Sequence, residues 1–172
     1  MNCGSAILWG IGLGSNLGDS ELLLAEARAR LVAGALATDL RSSPLYRSTA
    51  VDCAPGTADF ANAVIIFESD IAPPNLLALA LQIEIDLGRP ADHGHHTPRT
   101  VDIDLLFGGD IILDSEDLTL PHPRAYLRSF VLAPLADLLP DLVLPAQDKT
   151  VADLLSDLDS DEPAPVRIQE DW

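Results

Sequence analysis

Two aspartates separated by one residue, in Arg99-Thr100-Val101-Asp102-Ile103-Asp104-Leu105, are the side chains of this sequence best suited to holding a hard cation. On a β-strand the period of two sends Val101, Ile103 and Leu105 to one face and both carboxylates to the other. Their Cα atoms then stand roughly 6.6 Å apart, a separation over which two carboxylates converge on one magnesium ion or bracket two. Taken alone, an Asp-x-Asp is as readily the solvated face of a half-exposed strand. The neighbouring Arg99 and His122 favour chemistry, because phosphoryl and pyrophosphoryl transfer depend on charge neutralisation and in-line positioning.

Arg89 and Arg99 flank a polar stretch that can close over a bound polyphosphate and exclude water. In Thr119-Leu120-Pro121-His122-Pro123-Arg124 the two prolines stiffen a turn and fix where His122 projects. Arg89, Arg99, Arg124, Arg128 and all four histidines fall between residues 89 and 128. An anionic ligand belongs there. The run Gly12-Leu13-Gly14-Ser15-Asn16-Leu17-Gly18 lacks both the glycine spacing of a dinucleotide fingerprint and the lysine of a P-loop, so it is read as a tight turn that lets backbone approach another segment or a ligand. Asn62 is a polar residue inside the apolar run Phe60 to Phe67, and a buried amide needs partners.

The elements that must position these residues follow from periodicity. Ile7 to Leu13 reads as a strand, followed by a helix capped by Asp19 or Ser20 with Leu22, Leu23, Ala27, Leu31 and Val32 at helical spacing. Leu40 to Thr49 holds Pro44, which suits an edge strand, and Phe60 to Phe67 reads as a further strand. Pro73 and Pro74 open a second helix that Gly88 ends. Val101 to Phe107 is a strand, Gly108-Gly109-Asp110 turns the chain into Ile111 to Leu113, and Arg128 to Leu139 and Val151 to Leu158 are short helices. The order strand, helix, strand, strand, helix, strand predicts a single-domain α+β fold, a ferredoxin-like antiparallel sheet with two helices on one face and the other face free for a ligand.

At 172 residues, 48% of them hydrophobic, the chain suits one domain with a well-buried core. We read residues 1–158 as that domain and 159–172 as an acidic, low-complexity tail open to disorder. From Asp137 onward there are ten acidic residues against Lys149 and Arg167. The net charge of −17 argues against nucleic-acid binding through a broad basic surface. Apolar runs such as Leu76 to Leu81 are too short for a membrane helix, the first residues carry no basic start to a signal peptide, and two cysteines make no disulfide framework, which together predict a cytoplasmic protein.

Three blocks carry a resemblance. Gly14-Ser15-Asn16-Leu17-Gly18, then Arg99 through Gly108, then Leu120-Pro121-His122-Pro123-Arg124 followed by Phe130-Val131-Leu132-x-Pro134-Leu135, in this order and spacing, resemble the 6-hydroxymethyl-7,8-dihydropterin pyrophosphokinase family of folate biosynthesis. The resemblance covers about Ile7 to Leu144. It implies a monomer, two Mg2+ ions, and transfer of diphosphate from ATP, in which the hydroxymethyl oxygen of the pterin attacks the β-phosphorus and AMP leaves.

By position, the resemblance makes Asp102 and Asp104 metal ligands, and Arg89 and Arg99 the loop and catalytic arginines. It places Ser48, Phe60, Asn62 and Phe130 around the pterin. Glu84, Thr119, His122 and Arg128 fall to the nucleotide or its phosphates. The chain departs from the family in the loop Ala91 to Pro98, where His96 stands at the place of a tryptophan, and in Thr49 to Ala58, which lacks the usual proline and glycine arrangement. The competing reading is a paralogue that binds nucleotide or pterin without turnover; AMP release from ATP, magnesium and the hydroxymethyl pterin separates the two.

Overall fold

The computed structural model describes residues 6–50, 56–88, 100–159 and 163–172. Arg89, Arg99 and the loop histidines His93, His95 and His96 lie outside the described residues, as do residues 51–55 of the second departing loop. The chain runs β1 (Ile7–Ser15), α1 (Ser20–Gly34), β2 (Thr38–Ser42), β3 (Leu45–Ser48), β4 (Phe60–Ser69), α2 (Pro73–Asp86), β5 (Asp102–Gly108), β6 (Leu113–Asp114), β7 (Thr119–Leu120), a 3-10 turn (Ala125–Leu127), α3 (Ser129–Leu138), α4 (Val151–Ser156) and β8 (Val166–Gln169). The main sheet is ordered β5-β1-β4-β3-β8, with β2 also paired to β4, and its strand pairs are antiparallel.

Local chemistry accounts for the helix boundaries. Asp19 accepts the Leu22 N–H at 3.2 Å and so caps α1, while α2 opens on Pro73 and Pro74, where missing N–H donors do no harm. Gly88, at φ +97°, supplies the left-handed residue that turns the chain away from α2. A capping box between Thr150 and Asp153 starts α4.

Alternation along the strands divides the interior into two cores. Trp9, Ile11 and Leu13 of β1, Ile65 and Phe67 of β4, and Ile103 and Leu105 of β5 pack against Leu24, Ala27 and Leu31 of α1 and Leu76, Ala80 and Ile83 of α2. On the reverse face Val64, Ile66, Leu106 and Phe107 pack against Val131, Leu132 and Leu135 of α3 and Val151 at the start of α4. The helices therefore cover both faces of the sheet, not one. The reason lies in β4, whose residues Ala61 to Phe67 are all buried; a strand exposed on one side would alternate with polar residues.

Two further expectations change. The strand β1 continues through Gly12 and Gly14 to Ser15, and only Gly18, at φ +70°, occupies the turn. The acidic tail is also not left in solvent throughout: Val166 to Gln169 pair with Leu45 to Arg47 of β3, and Trp172 donates its indole N–H to the Ser43 carbonyl at 2.8 Å. Backbone pairing and one aromatic anchor outweigh the composition that made this segment look unstructured.

Gly10 shows how closely the sheet is filled. A Cβ built there would lie 2.1 Å from Cε1 of Phe107, a ring only 1% exposed and held by the second core. Gly10→Ala is expected to lower stability by about 1–3 kcal/mol through overpacking, whereas Gly12→Ala, whose Cβ would meet Leu106 at 3.4 Å, is expected to cost less. Urea melts of the two variants check the order; equal midpoints would contradict it.

Candidate active site

The register of the sheet assembles the site. Gly14 on β1 stands opposite Asp102 on β5 and opposite Asn62 on β4, and Asn62 stands opposite Tyr46 on β3. One row thus reads Asp102, Gly14, Asn62, Tyr46 across the strands, and in the next Gly12 separates Asp104 from Val64. A Cβ at Gly14 would point at Asn62 Oδ1, 3.4 Å away, and at the Asp102 Cβ, 4.0 Å away, so the glycine, the aspartate and the amide share one face. With strands about 4.8 Å apart, Asp102 and Asn62 are roughly 10 Å from each other over a floor without side chains. Both aspartates are half-buried, while Val101, Ile103 and Leu105 are buried on the opposite face, as the alternation requires.

Beside this floor, Asn62 is 6% exposed and donates its amide to the Ser48 hydroxyl at 2.8 Å. That bond fixes which way the carboxamide points. Phe60 begins β4 opposite Ser48 and borders an open hollow of about 510 Å3 that lies toward the α1 side of the sheet, with Ser20 and Glu21 of α1, Arg47, Ala61 and Ile168 in its lining. Phe130, at the start of α3, packs against the second core, with the Arg128 guanidinium 5.4 Å from its ring centre.

His122 comes to the aspartates through backbone: its N–H donates to the Leu106 carbonyl of β5 at 2.8 Å. Burial holds the imidazole below its usual pKa, reinforced by Arg128 and Arg124 and opposed by Asp102. The Arg124 N–H donates to His122 Nδ1 at 3.2 Å, which leaves the proton of the neutral ring on Nε2 as a donor. Asp102, Arg124 and Arg128 therefore all act on His122, which brings a carboxylate and positive groups into one region.

Two expected residues have hydrogen-bond partners of their own. Glu84, 2% exposed on α2, accepts the backbone N–H of Ile103 at 2.7 Å, so its carboxylate is engaged with the strand backbone between the two aspartates. Thr119 donates its hydroxyl to Asp114 at 3.4 Å within the β6–β7 hairpin. What the sequence reading missed is the pair Gly12 and Gly14 as the floor of the site. The signal was present, since glycines at alternate positions within an apolar run lie on one face of a strand.

A profile of the 7,8-dihydro-6-hydroxymethylpterin-pyrophosphokinase family matches residues 10–140, which span the glycine floor, both aspartates, His122 and Phe130. The chain belongs to that family. Among its relatives, the 2-amino-4-hydroxy-6-hydroxymethyldihydropteridine pyrophosphokinase of Synechocystis sp. is 40% identical over 151 residues, covering 87% of this chain and 75% of that protein. The enzyme of the same name from Methylorubrum extorquens is 37% identical over 155 residues, covering 87% of this chain and 92% of that one. In solved structures the fold is matched by a Plasmodium falciparum HPPK-DHPS with pterin and p-hydroxybenzoate, at a TM-score of 0.68 and 15% identity. That match takes in 91% of this chain and 44% of the Plasmodium chain, so this chain spans less than half of the latter.

Within this pyrophosphokinase fold Glu84 acts on β5 from behind. Glu84→Leu leaves the Ile103 N–H without its acceptor and is expected to cost about 1–3 kcal/mol. Glu84→Gln keeps an acceptor oxygen and is expected to cost less. Thermal melts of the pair provide the check, and a leucine variant as stable as the glutamine variant would show that the bond contributes nothing.

Proposed function

We propose that the face bearing Asp102, Asp104 and Asn62 is where this pyrophosphokinase binds ATP and 6-hydroxymethyl-7,8-dihydropterin and joins them. The chain is a 2-amino-4-hydroxy-6-hydroxymethyldihydropteridine pyrophosphokinase of folate synthesis, in line with its family and the enzymes it resembles. The observation that carries the placement is the row Asp102, Gly14, Asn62: an acidic group and a buried amide facing one another across a bare floor. The ferredoxin-like reading of the sheet is supported by the order β5-β1-β4-β3, with α1 and α2 on one face.

The pterin edge, with donors and acceptors in a row, suits the Asn62 carboxamide, and Ser48 holds that carboxamide in one orientation. Phe130 offers a ring for stacking beside Arg128. On the other side of the floor, Asp102 and Asp104 are the groups to hold Mg2+. Among the described residues there is no cluster of three or more His, Cys, Asp or Glu suited to a metal. A pair of carboxylates fits magnesium nonetheless, since that ion is commonly held by one or two carboxylates together with substrate phosphates and water. Bound there, two magnesium ions would neutralise the polyphosphate and raise the electrophilicity of its phosphorus.

In the reaction, the hydroxymethyl oxygen of the pterin forms a bond to the β-phosphorus of ATP, the bond from that phosphorus to the α,β-bridging oxygen breaks, and AMP departs as the hydroxyl proton is released. His122 Nε2–H and the Arg128 guanidinium serve as donors to phosphate oxygens, and the family resemblance assigns Arg89 and Arg99 to the same charge neutralisation. Among the described residues no helix is long and apolar enough to cross a membrane. We place the enzyme in the cytoplasm as a monomer.

Asp102→Ala and Asp104→Ala are each expected to reduce AMP formation at least a hundredfold while the melting temperature stays close to the parent's, because removing one of two neighbouring carboxylates also relieves repulsion. Near-parental turnover at limiting magnesium would refute the metal assignment. Arg99→Ala is expected to slow transfer more than it weakens pterin binding, with lysine a partial substitute because it lacks the planar fork. Single-turnover rates set beside pterin titrations make the distinction, and equal losses in both would contradict the role.

A further inference from the structure

We propose that the C-terminal strand β8 is a positioning element for the pterin side of the site, anchored by Arg167 and Trp172. The inference rests on the functional reading above. Strand β3, which carries Ser48, is four residues long and pairs with β4 only from Tyr46 to Ser48. So short a strand at a sheet edge is poorly held by its own ladder. β8 removes that edge by pairing Leu45 with Gln169, Tyr46 with Arg167 and Arg47 with Val166. The row Asp102, Gly14, Asn62, Tyr46 thereby gains a fifth member, Arg167.

Side chains close the arrangement into a ring of contacts between β8, β3 and α3. Arg167 Nη2 donates to Asp137 Oδ1 at 2.6 Å and to the Tyr46 hydroxyl at 3.3 Å, and that hydroxyl donates to Asp137 Oδ2 at 2.6 Å. Tyr46 is 7% exposed, so its partners are shielded from water on one side. The second anchor lies at the junction of β2 and β3. Trp172 donates to the Ser43 carbonyl at 2.8 Å, and the Arg28 guanidinium lies 4.3 Å from its ring centre while donating to the Ser42 hydroxyl at 3.2 Å.

The consequence for binding runs through Ser48. Its hydroxyl accepts the Asn62 amide and so sets which edge Asn62 presents. Releasing β3 therefore removes the shorter of the two hydrogen bonds that orient the Asn62 carboxamide and leaves the 3.4 Å bond to the Phe60 carbonyl of its own strand. Strand β5 lies four strand spacings from β8, roughly 19 Å, so Asp102 and Asp104 are insulated from the change.

The test combines calorimetric titration of 6-hydroxymethyl-7,8-dihydropterin with steady-state kinetics in both substrates, for the full chain and its Arg167→Ala, Arg167→Lys, Tyr46→Phe and Trp172→Phe variants. Arg167→Ala is expected to raise the pterin Kd and KM three- to thirtyfold while kcat and the KM for ATP stay within twofold. Arg167→Lys should fall between it and the parent, because an ammonium can retain Asp137 but offers no second nitrogen for Glu170, which Nη1 holds at 3.3 Å. Tyr46→Phe removes the two hydrogen bonds of the Tyr46 hydroxyl, Trp172→Phe removes the one from its indole, and both carry the test should the alanine variant not fold. A pterin Kd within twofold of the parent's in all four variants overturns the inference, as does a parallel loss in kcat and ATP affinity, which would mark general loosening. A parent that binds no pterin overturns the functional reading itself and this inference with it.

Discussion

The constraint on which the site depends is the absence of side chains at Gly12 and Gly14. Strand β1 lies between β4 and β5, and antiparallel pairing places its residues directly opposite theirs. Any side chain at Gly14 would project between Asp102 and Asn62 and fill the gap that separates them. A floor of backbone alone lets a flat ring and a polyphosphate approach the sheet closely. The aspartates and the amide then need only the ordinary alternation of a strand to face the same space.

That alternation explains what could be read from the sequence. The Asp-x-Asp face, the opposing run Val101, Ile103 and Leu105, and the proline-opened helix α2 follow from local periodicity and emerge where expected. The glycines did not, because Gly, Ser and Asn together are the commonest turn signal, and only their pairing partners reveal a strand. The cover over the second face was legible in principle, since β4 is apolar at consecutive positions, but which helices supply it depends on contacts far apart in sequence. Strand β8 was the least legible: a segment rich in acidic residues and proline becomes ordered through Tyr46, Asp137 and Ser43, more than 25 residues away. Glu84 shows the same limit, as one of its partners is a backbone N–H that no side-chain pattern encodes.

Electrostatics divide the molecule in a related way. A chain of net charge −17 repels polyphosphates at long range, yet Arg124, Arg128 and His122 are gathered beside Asp102. Screening over about 8 Å at physiological salt makes that local set, not the distant acidic residues, the field a bound nucleotide meets. Burial, and after it the same arginines, lowers the pKa of His122, which favours the neutral ring as a directed donor over a further full charge.

The two cores carry unequal burdens. The face against α1 and α2 is apolar along β1, from Trp9 through Ile11 to Leu13. The face against α3 is divided: Val64, Ile66, Leu106 and Phe107 are packed, while Gly12, Gly14, Asp102, Asp104 and Asn62 are held out of the core. Residues left bare for a substrate contribute little burial, so the reverse face must supply most of the hydrophobic stabilisation of this sheet. Flexibility follows the same division, because β1, β4 and β5 are fixed from behind whatever occupies the front. Strand β3, with only three pairs to β4, contributes Leu45 alone to that core and relies also on α3 and β8. Under the proposed assignment, a rigid acidic half beside a half braced from the edge of the sheet would let the metal side stay fixed while the pterin side is tuned by residues remote from both substrates.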